Sequence, residues 1–223
     1  MRVHENKNCW VIEDYLDSSL VEEIKTTIQE NLDNLYNDTE GYSTTGKNVK
    51  QYWLRTENLR IDDSRFYKFE EKYKNNILNR IKAADLFDNE VEKNITLSDG
   101  SVWSVIGEEN SYHTIHFHGR RDYNVISTIV YLEVPETNIE GEPGNNIVLV
   151  LGAEPRNPYY CNYSPIVEIN PEVGKLLIFP AWVLHGTYPQ TKGIRQTFNA
   201  DYGLSIKNES KSVNTTKINQ KYF

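Results

Sequence analysis

From about residue 100 onwards, the chain consists of short runs rich in Val, Ile, Thr, Tyr and Phe, separated by Gly, Pro and Asn. β-Branched and aromatic residues favour strands, and the separating residues favour turns. We therefore predict strands at 101–106, 112–118, 125–134, 147–151, 166–169, 175–180 and 195–202. Many short strands with no long helix between them indicate a sandwich, barrel or jelly roll and argue against a parallel α/β sheet.

Two segments before residue 100 have helical periodicity instead. Residues 18–36 carry an apolar stripe at helical spacing, and Ser19 followed by Glu22 predicts a capping box at the start of that helix. A second helix is predicted over about 64–82, with an aspartate pair at 62–63 available to cap it. Both stripes are expected to pack on another part of the fold.

The length of 223 residues fits one domain with a sizeable core. We predict a single domain over 1–223. Within it, about 1–99 forms a mixed helical support, about 100–204 forms the strand-rich core, and 205–223 forms a polar tail.

The charge and the first residues of the chain limit its partners and its location. A net charge of −8 argues against binding to nucleic acid or to an anionic membrane surface, because both need clustered Lys and Arg. The segment 1–15 has no apolar run followed by a cleavage site, and no stretch is as apolar as a membrane span. We expect a cytoplasmic protein with no nucleic-acid or membrane partner.

Three of the five histidines occupy places where a strand-rich fold could gather them. His116 and His118 lie two apart in a strand-like run, so their side chains point to one face, whereas His113 and Phe117 point to the other. His185 follows the apolar run LLIFPAWVL, which indicates that a core strand delivers it. A lone buried histidine is usually a hydrogen-bonded core residue, but the joint pattern favours a metal site. Three imidazoles can occupy one face of an octahedral ion and leave the other positions open for substrate or oxygen.

The run 195–202 allows two interpretations. Alternation puts Arg195, Thr197, Asn199 and Asp201 on one face of the strand and mainly apolar side chains on the other. The polar face either lies in water or lines a pocket. In a pocket, the Arg195 guanidinium could hold a carboxylate with two parallel hydrogen bonds, and the Thr197 hydroxyl could add a third.

Taken together, these segments resemble the 2-oxoglutarate- and Fe(II)-dependent oxygenases over about residues 100–204. The closest likeness is to a poorly characterised branch with H-x-H in place of H-x-D. The segments that carry the likeness are HFH (116–118), STIVYLEVP (127–135), IFPAWVLHG (178–186) and RQTFN (195–199). The resemblance implies a mainly β chain, a double-stranded β-helix (jelly roll) with supporting N-terminal α-helices. It also implies Fe(II) and 2-oxoglutarate as cofactors.

The resemblance assigns the metal ligands residue by residue. His116 and His185 would be iron ligands, and His118 would sit where most of the superfamily has Asp or Glu. A histidine there leaves the site one negative charge poorer than a facial triad of two histidines and a carboxylate. Asp122, in the segment after His118, is a further candidate carboxylate ligand.

The resemblance also assigns the cosubstrate site. Arg195 would bind the distal carboxylate of 2-oxoglutarate, with help from Thr197. Tyr131, on the run STIVYLEVP, would line the same pocket, and Asn199 matches an asparagine of the pattern. The expected activity is hydroxylation of a substrate coupled to oxidative decarboxylation of 2-oxoglutarate to succinate.

Two alternatives stay open from the residues alone. The first is a cupin-type metalloenzyme without 2-oxoglutarate, which has no general need for an arginine ten residues past its last histidine. The second is a non-catalytic jelly-roll binding module. The substrate, peptide or small molecule, is not readable from the sequence, since fold does not fix function.

Overall fold

The computed structural model describes residues 1–6, 9–37, 48–56, 60–87, 94–118, 125–135, 145–152 and 166–206. The helices in these ranges are α1 (Ser18–Asn31), followed by a 3-10 turn (Leu32–Asn34), and α2 (Ser64–Ala83). The strands are β1 (Arg2–Asn6), β2 (Cys9–Tyr15), β3 (Tyr36–Asn37), β4 (Val49–Arg55), β5 (Ile95–Ser98), β6 (Val102–Gly107), β7 (Val125–Glu133), β8 (Ile147–Val150), β9 (Ile166–Ile169), β10 (Lys175–Pro180), β11 (Leu184–Thr187) and β12 (Arg195–Ile206).

The strands form two antiparallel sheets. The major sheet has the order β1-β2-β10-β7-β12-β6-β4-β3, with β5 also paired to β12, and the minor sheet has the order β11-β8-β9. Segment 113–118 lies beside β11: the His116 amide donates to the His185 carbonyl at 2.9 Å, and the reverse bond is 2.8 Å. This segment is bridged to β11 at His116 but is not itself a strand, so the strand predicted over 112–118 is wrong. The predicted fold class, a jelly roll with supporting helices, is confirmed.

Each helix contributes one apolar face to the core on the outer side of the major sheet. The residues of that core include Ile24 and Ile28 from α1, Phe69 and Tyr73 from α2, and Phe198 from β12. The Tyr73 and Phe198 rings meet edge to face at 5.0 Å. Within the described ranges, no helix combines the length and apolarity needed to cross a bilayer.

The two helices begin at aspartate caps. The predicted cap of α2 is present, since the Asp63 carboxylate accepts a hydrogen bond from the Arg65 amide at 2.8 Å. For α1 the predicted capping box at Ser19 is wrong. Asp17 is the cap, and its carboxylate accepts from the Ser19 amide at 2.9 Å. The Asp17 carboxylate, two residues earlier, reaches the free amides of the first turn, so Ser19 is already inside the helix.

Strand β10 separates the two cores of the molecule. All six of its residues are buried. Leu176 and Ile178 face the helices, whereas Leu177 and Phe179 face the minor sheet. A continuous apolar run is therefore required here, because both faces of the strand are covered.

Residues before 100 contribute five strands to the major sheet, β1 to β5. The sequence pattern did not predict them. Strand β1 (RVHEN) is polar, as expected at a sheet edge, and β5 carries only one fully buried residue, Ile95. The residues of the tail after 206 and those of the loop at 38–47 lie outside the described ranges.

A buried ion pair ties α2 to the major sheet. The Arg55 guanidinium, on β4, donates to the Glu70 carboxylate of α2 at 2.7 Å and to the Gly100 carbonyl at 2.7 Å. Arg55 is 5% exposed and Glu70 is 2% exposed. Each charge therefore depends on the other for the contacts that water would otherwise make.

We expect Glu70→Ala to lower the free energy of unfolding by about 3–5 kcal/mol, because it removes the buried partner of the Arg55 guanidinium. Arg55 would then keep only Asp99 as an acidic partner, at 3.7 Å and with a side chain that is 55% exposed. The matched control is Glu71→Ala, which removes a carboxylate whose side chain is 70% exposed one position along the same helix. That control is expected to change stability by less than about 1 kcal/mol. Urea denaturation of both variants measures the difference, and equal losses would show that the pair does not hold α2 in place.

Candidate metal centre and its cavity

A cavity of about 310 Å³ opens between the two sheets. Its walls come from β4, β6, β7 and β12 of the major sheet and from β8, β11 and segment 113–118 of the minor sheet. Trp53, Trp103 and Phe117 are among the lining residues, and the Phe117 ring is 55% exposed. The cavity is thus built by both layers of the jelly roll.

The structure brings His116, His118 and His185 together in this cavity. One ring nitrogen of each histidine lies within 4.8 Å of the corresponding nitrogens of the other two. The ring centroids of His116 and His185 are 4.4 Å apart, and those of His118 and His185 are 5.0 Å apart. The cross-strand pairing of His116 with His185 and the two-residue spacing from His116 to His118 produce this cluster.

Backbone carbonyls fix the tautomers of two of these histidines. The Nδ1 of His116 lies 2.8 Å from the Thr114 carbonyl, and the Nδ1 of His185 lies 2.9 Å from the Val183 carbonyl. A carbonyl only accepts, so each Nδ1 carries the proton and each Nε2 keeps its lone pair. Burial lowers the pKa of His116 and lowers the pKa of His185 well below its usual value. Both imidazoles are therefore neutral at neutral pH, as metal ligands must be.

The third histidine has an acidic partner instead. The Nδ1 of His118 lies 2.9 Å and 3.0 Å from the two carboxylate oxygens of Asp201. The Ser127 hydroxyl donates to the same carboxylate at 2.6 Å. Since a carboxylate accepts, His118 carries its proton on Nδ1, and its Nε2 is also a potential ligand atom.

Arg195 lies in the same cavity, at the start of β12, and is 4% exposed. Its guanidinium donates to the Thr187 hydroxyl at 3.1 Å and to the Asn145 carbonyl at 3.3 Å. No carboxylate of the described residues lies within ion-pair distance of it. Burial lowers the pKa of Arg195, while the nearby Tyr131 acts in the opposite direction. A buried cation with two neutral partners is suited to bind an anion.

The other residues predicted for the cosubstrate site also line the cavity. Tyr131 is paired with Thr197 across β7 and β12, and both contribute to the wall. Burial raises the pKa of Tyr131 to about 12, so its hydroxyl stays protonated. The Asn199 amide donates to the Thr197 hydroxyl at 3.0 Å. Of the two interpretations of the polar face of β12, the structure supports the one in which it lines a pocket.

His113 is a cavity residue that the alternation argument placed on the opposite face. It lines the cavity, and its ring centroid is 6.0 Å from that of His116. The chain bends at Ile115 and forms no continuous strand between the two histidines, so alternation does not apply across this segment. Burial, and secondarily the charge of Arg195, lowers the pKa of His113 to about 3, which makes it a neutral wall residue.

Asp201 also lines the cavity, and the sequence placed it on the polar face of β12 but assigned it no partner. Its position on the same face of β12 as Arg195 was the available signal, but its partner His118 is distant in sequence. Asp122, the further candidate ligand, lies outside the described residues.

Gly186 allows segment 113–118 to approach β11 closely. A Cβ at this position would lie 3.0 Å from the His113 carbonyl oxygen and 3.1 Å from backbone atoms of Ile115. These atoms belong to the segment that carries His116. Because Gly186 has no side chain, the segment that carries His116 can lie close enough to β11 for His116 to approach His185.

We expect Gly186→Ala to weaken Mn(II) binding about tenfold, because the added methyl group pushes segment 113–118 away from His185. The matched control is Leu184→Ala, which shortens an exposed side chain in the same strand and is expected to leave the affinity unchanged. Isothermal titration with Mn(II) measures both. An unchanged affinity in Gly186→Ala would mean that the segment yields without moving His116.

The comparisons with known proteins agree with this architecture. Residues 101–201 match a family model described as "Putative 2OG-Fe(II) oxygenase". A prolyl-4-hydroxylase from Pseudomonas putida is similar in structure, with a TM-score of 0.56 and 12% identity, covering 89% of this chain and 93% of that one. HygX from Streptomyces hygroscopicus, with nickel and 2-oxoglutarate bound, gives a TM-score of 0.55 and 14% identity, covering 94% and 87%.

A third similar structure is the prolyl hydroxylase from Trichoplax adhaerens in complex with a peptide fragment of the hypoxia inducible factor oxygen degradation domain. Its TM-score is 0.57 at 14% identity, and the match covers 89% of this chain and 84% of that one. No curated protein sequence matches the chain. Likeness at these identities shows the shared jelly roll, whereas the family model matches the sequence itself over the segment that holds the histidine cluster and Arg195. Residues 101–201 are thus similar in sequence to the 2OG-Fe(II) oxygenases, and the solved structures share the fold of the chain.

Proposed function

We propose that this chain is a 2-oxoglutarate- and Fe(II)-dependent oxygenase of the hydroxylase type. In this proposal His116, His118 and His185 hold the metal, and Arg195 anchors the cosubstrate. The observation that carries it is the presence of a buried guanidinium, without a carboxylate partner among the described residues, in the same cavity as three converging imidazoles. A metal site alone would not require the cation, and a structural arginine would normally have an acidic partner.

The donor set fits a divalent transition metal. Imidazole nitrogens suit Fe, Zn, Cu and Ni, and three such ligands on one side leave positions open for other groups. Hydrogen bonds at Nδ1 hold all three rings in the tautomer that directs Nε2 to the cluster. Fe(II) held by these histidines would supply the oxygen chemistry by which 2-oxoglutarate is decarboxylated and the substrate oxidised.

The residues of the cavity bind and orient the cosubstrate. Thr187 and Asn145 hold the Arg195 guanidinium and leave other N–H groups for a carboxylate. Val105 and Ile147 add apolar wall to the same space. Removing water from around a guanidinium–carboxylate pair strengthens it, so this end of the cavity favours the distal carboxylate of a dicarboxylate such as 2-oxoglutarate.

The substrate reaches the metal centre from the side of the cavity lined by aromatic rings. Trp53 and Trp103 contact each other with centroids 5.3 Å apart, and the Trp103 ring lies 5.4 Å from that of His118. These rings offer apolar surface next to a metal ligand, which suits a peptide or a small molecule with an uncharged group at the oxidised carbon. We also propose, from the net charge of −8, that the substrate is neither nucleic acid nor another polyanion. We propose a cytoplasmic location because the two cysteines have no spacing typical of a disulfide framework.

The test is isothermal titration of 2-oxoglutarate into the protein under nitrogen, with and without Mn(II). We expect binding only when the metal is present, since the cosubstrate contacts both the metal and Arg195. Metal binding with no response to 2-oxoglutarate would favour a cupin-type metalloenzyme. Binding of neither would favour the non-catalytic module and overturn the proposal.

A further inference from the structure

Asp201 distinguishes His118 from the other two histidines of the cluster. His116 and His185 each donate to a neutral backbone carbonyl, whereas His118 donates to both oxygens of a carboxylate. By the resemblance described above, His118 would sit where most of the superfamily carries Asp or Glu. The negative charge expected among the ligands is therefore still present, displaced by one imidazole ring from the metal.

We propose that Asp201 is a positioning residue of the metal centre. Through His118 it supplies the negative charge that a three-histidine ligand set lacks, and it thereby sets the affinity for the divalent cation. This inference rests on the proposed function, because it assumes that the three histidines hold a metal. A carboxylate that accepts from Nδ1–H raises the basicity of the opposite nitrogen and fixes the ring orientation.

The contacts of Asp201 direct its charge towards His118. It is 8% exposed, and within the described ranges its only ion-pair partner is His118. The Ser127 hydroxyl donates to one carboxylate oxygen, and Ser127 is the cross-strand neighbour of Asp201 between β7 and β12. A serine hydroxyl holds the carboxylate in place without neutralising it. No Lys or Arg of the described residues competes for the charge.

The backbone beneath Asp201 is fixed as well. Its amide donates to the Ser101 carbonyl at 2.9 Å, and its carbonyl lies so close to Gly100 that a Cβ on Gly100 would be 1.7 Å away. These backbone contacts hold β12 in place at Asp201, so the carboxylate keeps its position if the His118 ring moves. This rigidity is what a group needs if it is to orient a metal ligand.

The experiment compares the Mn(II) affinity of the wild type with that of Asp201→Asn and Glu133→Gln, by isothermal titration under nitrogen. Asparagine keeps the shape and an oxygen acceptor for His118 but removes the charge. Glu133→Gln makes the same change of carboxylate to amide on β7, at a side chain that is 40% exposed and pairs with Lys25. We expect Asp201→Asn to bind Mn(II) about 10- to 100-fold more weakly, and Glu133→Gln to stay within about threefold of the wild type. Asp201→Glu, which restores the charge, is expected to recover part of the loss. If Asp201 acted only through its shape, Asp201→Glu would bind Mn(II) no better than Asp201→Asn.

A second pair of variants tests the displaced charge directly. His118→Asp places a carboxylate beside that of Asp201, so like-charge repulsion should keep Mn(II) binding weak. His118→Asp combined with Asp201→Asn removes that repulsion and should bind Mn(II) at least tenfold more tightly than His118→Asp alone. Circular dichroism and thermal unfolding of the metal-free variants establish that each is folded.

The outcomes separate this inference from the proposed function. If the wild type binds Mn(II) and 2-oxoglutarate while Asp201→Asn binds Mn(II) as tightly, only the role of Asp201 is overturned. The same follows if the double variant is no better than His118→Asp. If the wild type binds no divalent metal, both the proposed function and this inference are wrong.

Discussion

Arg195→Ala is expected to weaken binding of 2-oxoglutarate to the Mn(II)-loaded protein about 100-fold or more, while Mn(II) itself binds as in the wild type. Truncating one partner of a buried, hydrogen-bonded charge pair costs about 2–5 kcal/mol, and each 1.4 kcal/mol corresponds to about a tenfold change in affinity. Arg195 is only 4% exposed, so in the wild type water competes poorly with the 2-oxoglutarate carboxylate for the guanidinium. Isothermal titration under nitrogen gives both affinities from one preparation.

Two further variants sharpen this result. Arg195→Lys keeps the positive charge but loses the planar fork, so its affinity should lie between those of the wild type and Arg195→Ala. Lys192→Ala removes a cation from an exposed position three residues earlier and should leave 2-oxoglutarate binding unchanged. If Lys192→Ala weakened binding as much as Arg195→Ala, the effect would be one of general charge. If Arg195→Ala bound 2-oxoglutarate normally, the cosubstrate site would lie elsewhere.

The parts of the fold that could be predicted from the sequence are those in which one segment carries its own signal. Strand β10 is apolar on both faces, and α2 combines a long apolar stripe with an aspartate cap, so each is recognisable alone. The strands at β1 and β5 are different. β1 is mostly polar and β5 has only four residues, and both form because they pair with β2 and β12, which no local pattern reveals.

The candidate site divides in the same way. The H-x-H spacing placed His116 and His118 on one face. Alternation placed Arg195 on the polar face of its strand but did not decide whether that face lies in water or lines a pocket. The partnership of His118 with Asp201 could not be predicted, since it depends on the register between strands far apart in the chain. His113 was missed for a local reason, the bend that breaks alternation before His116. Periodicity thus predicts the face of the strand on which a side chain lies, but not the residues that it contacts there.

His185→Ala is expected to abolish Mn(II) binding in the range where the wild type is saturated. His185 is the most buried of the three histidines, at 4% exposure, and its backbone pairs with that of His116 on the neighbouring segment. It therefore contributes both a ligand atom and the strand contact against which a second ligand is placed. The side-chain change removes the ligand atom while the backbone pairing can persist.

The measurement that isolates the ligand role is thermal unfolding with and without Mn(II). A ligand that binds only the folded state at about 100 times its Kd adds about 2.7 kcal/mol to stability. For a chain of 223 residues this corresponds to a rise in Tm of about 5–10 °C in the wild type. The rise should vanish in His185→Ala, and in His185→Gln, which refills part of the space.

The matched control is His4→Gln, on β1 outside the cavity, where the histidine pairs with Glu13 and not with a metal ligand. That variant should keep the full rise. If His185→Ala also kept the full rise, Mn(II) would be bound by residues other than this cluster, and the cavity between the sheets would not be the metal centre.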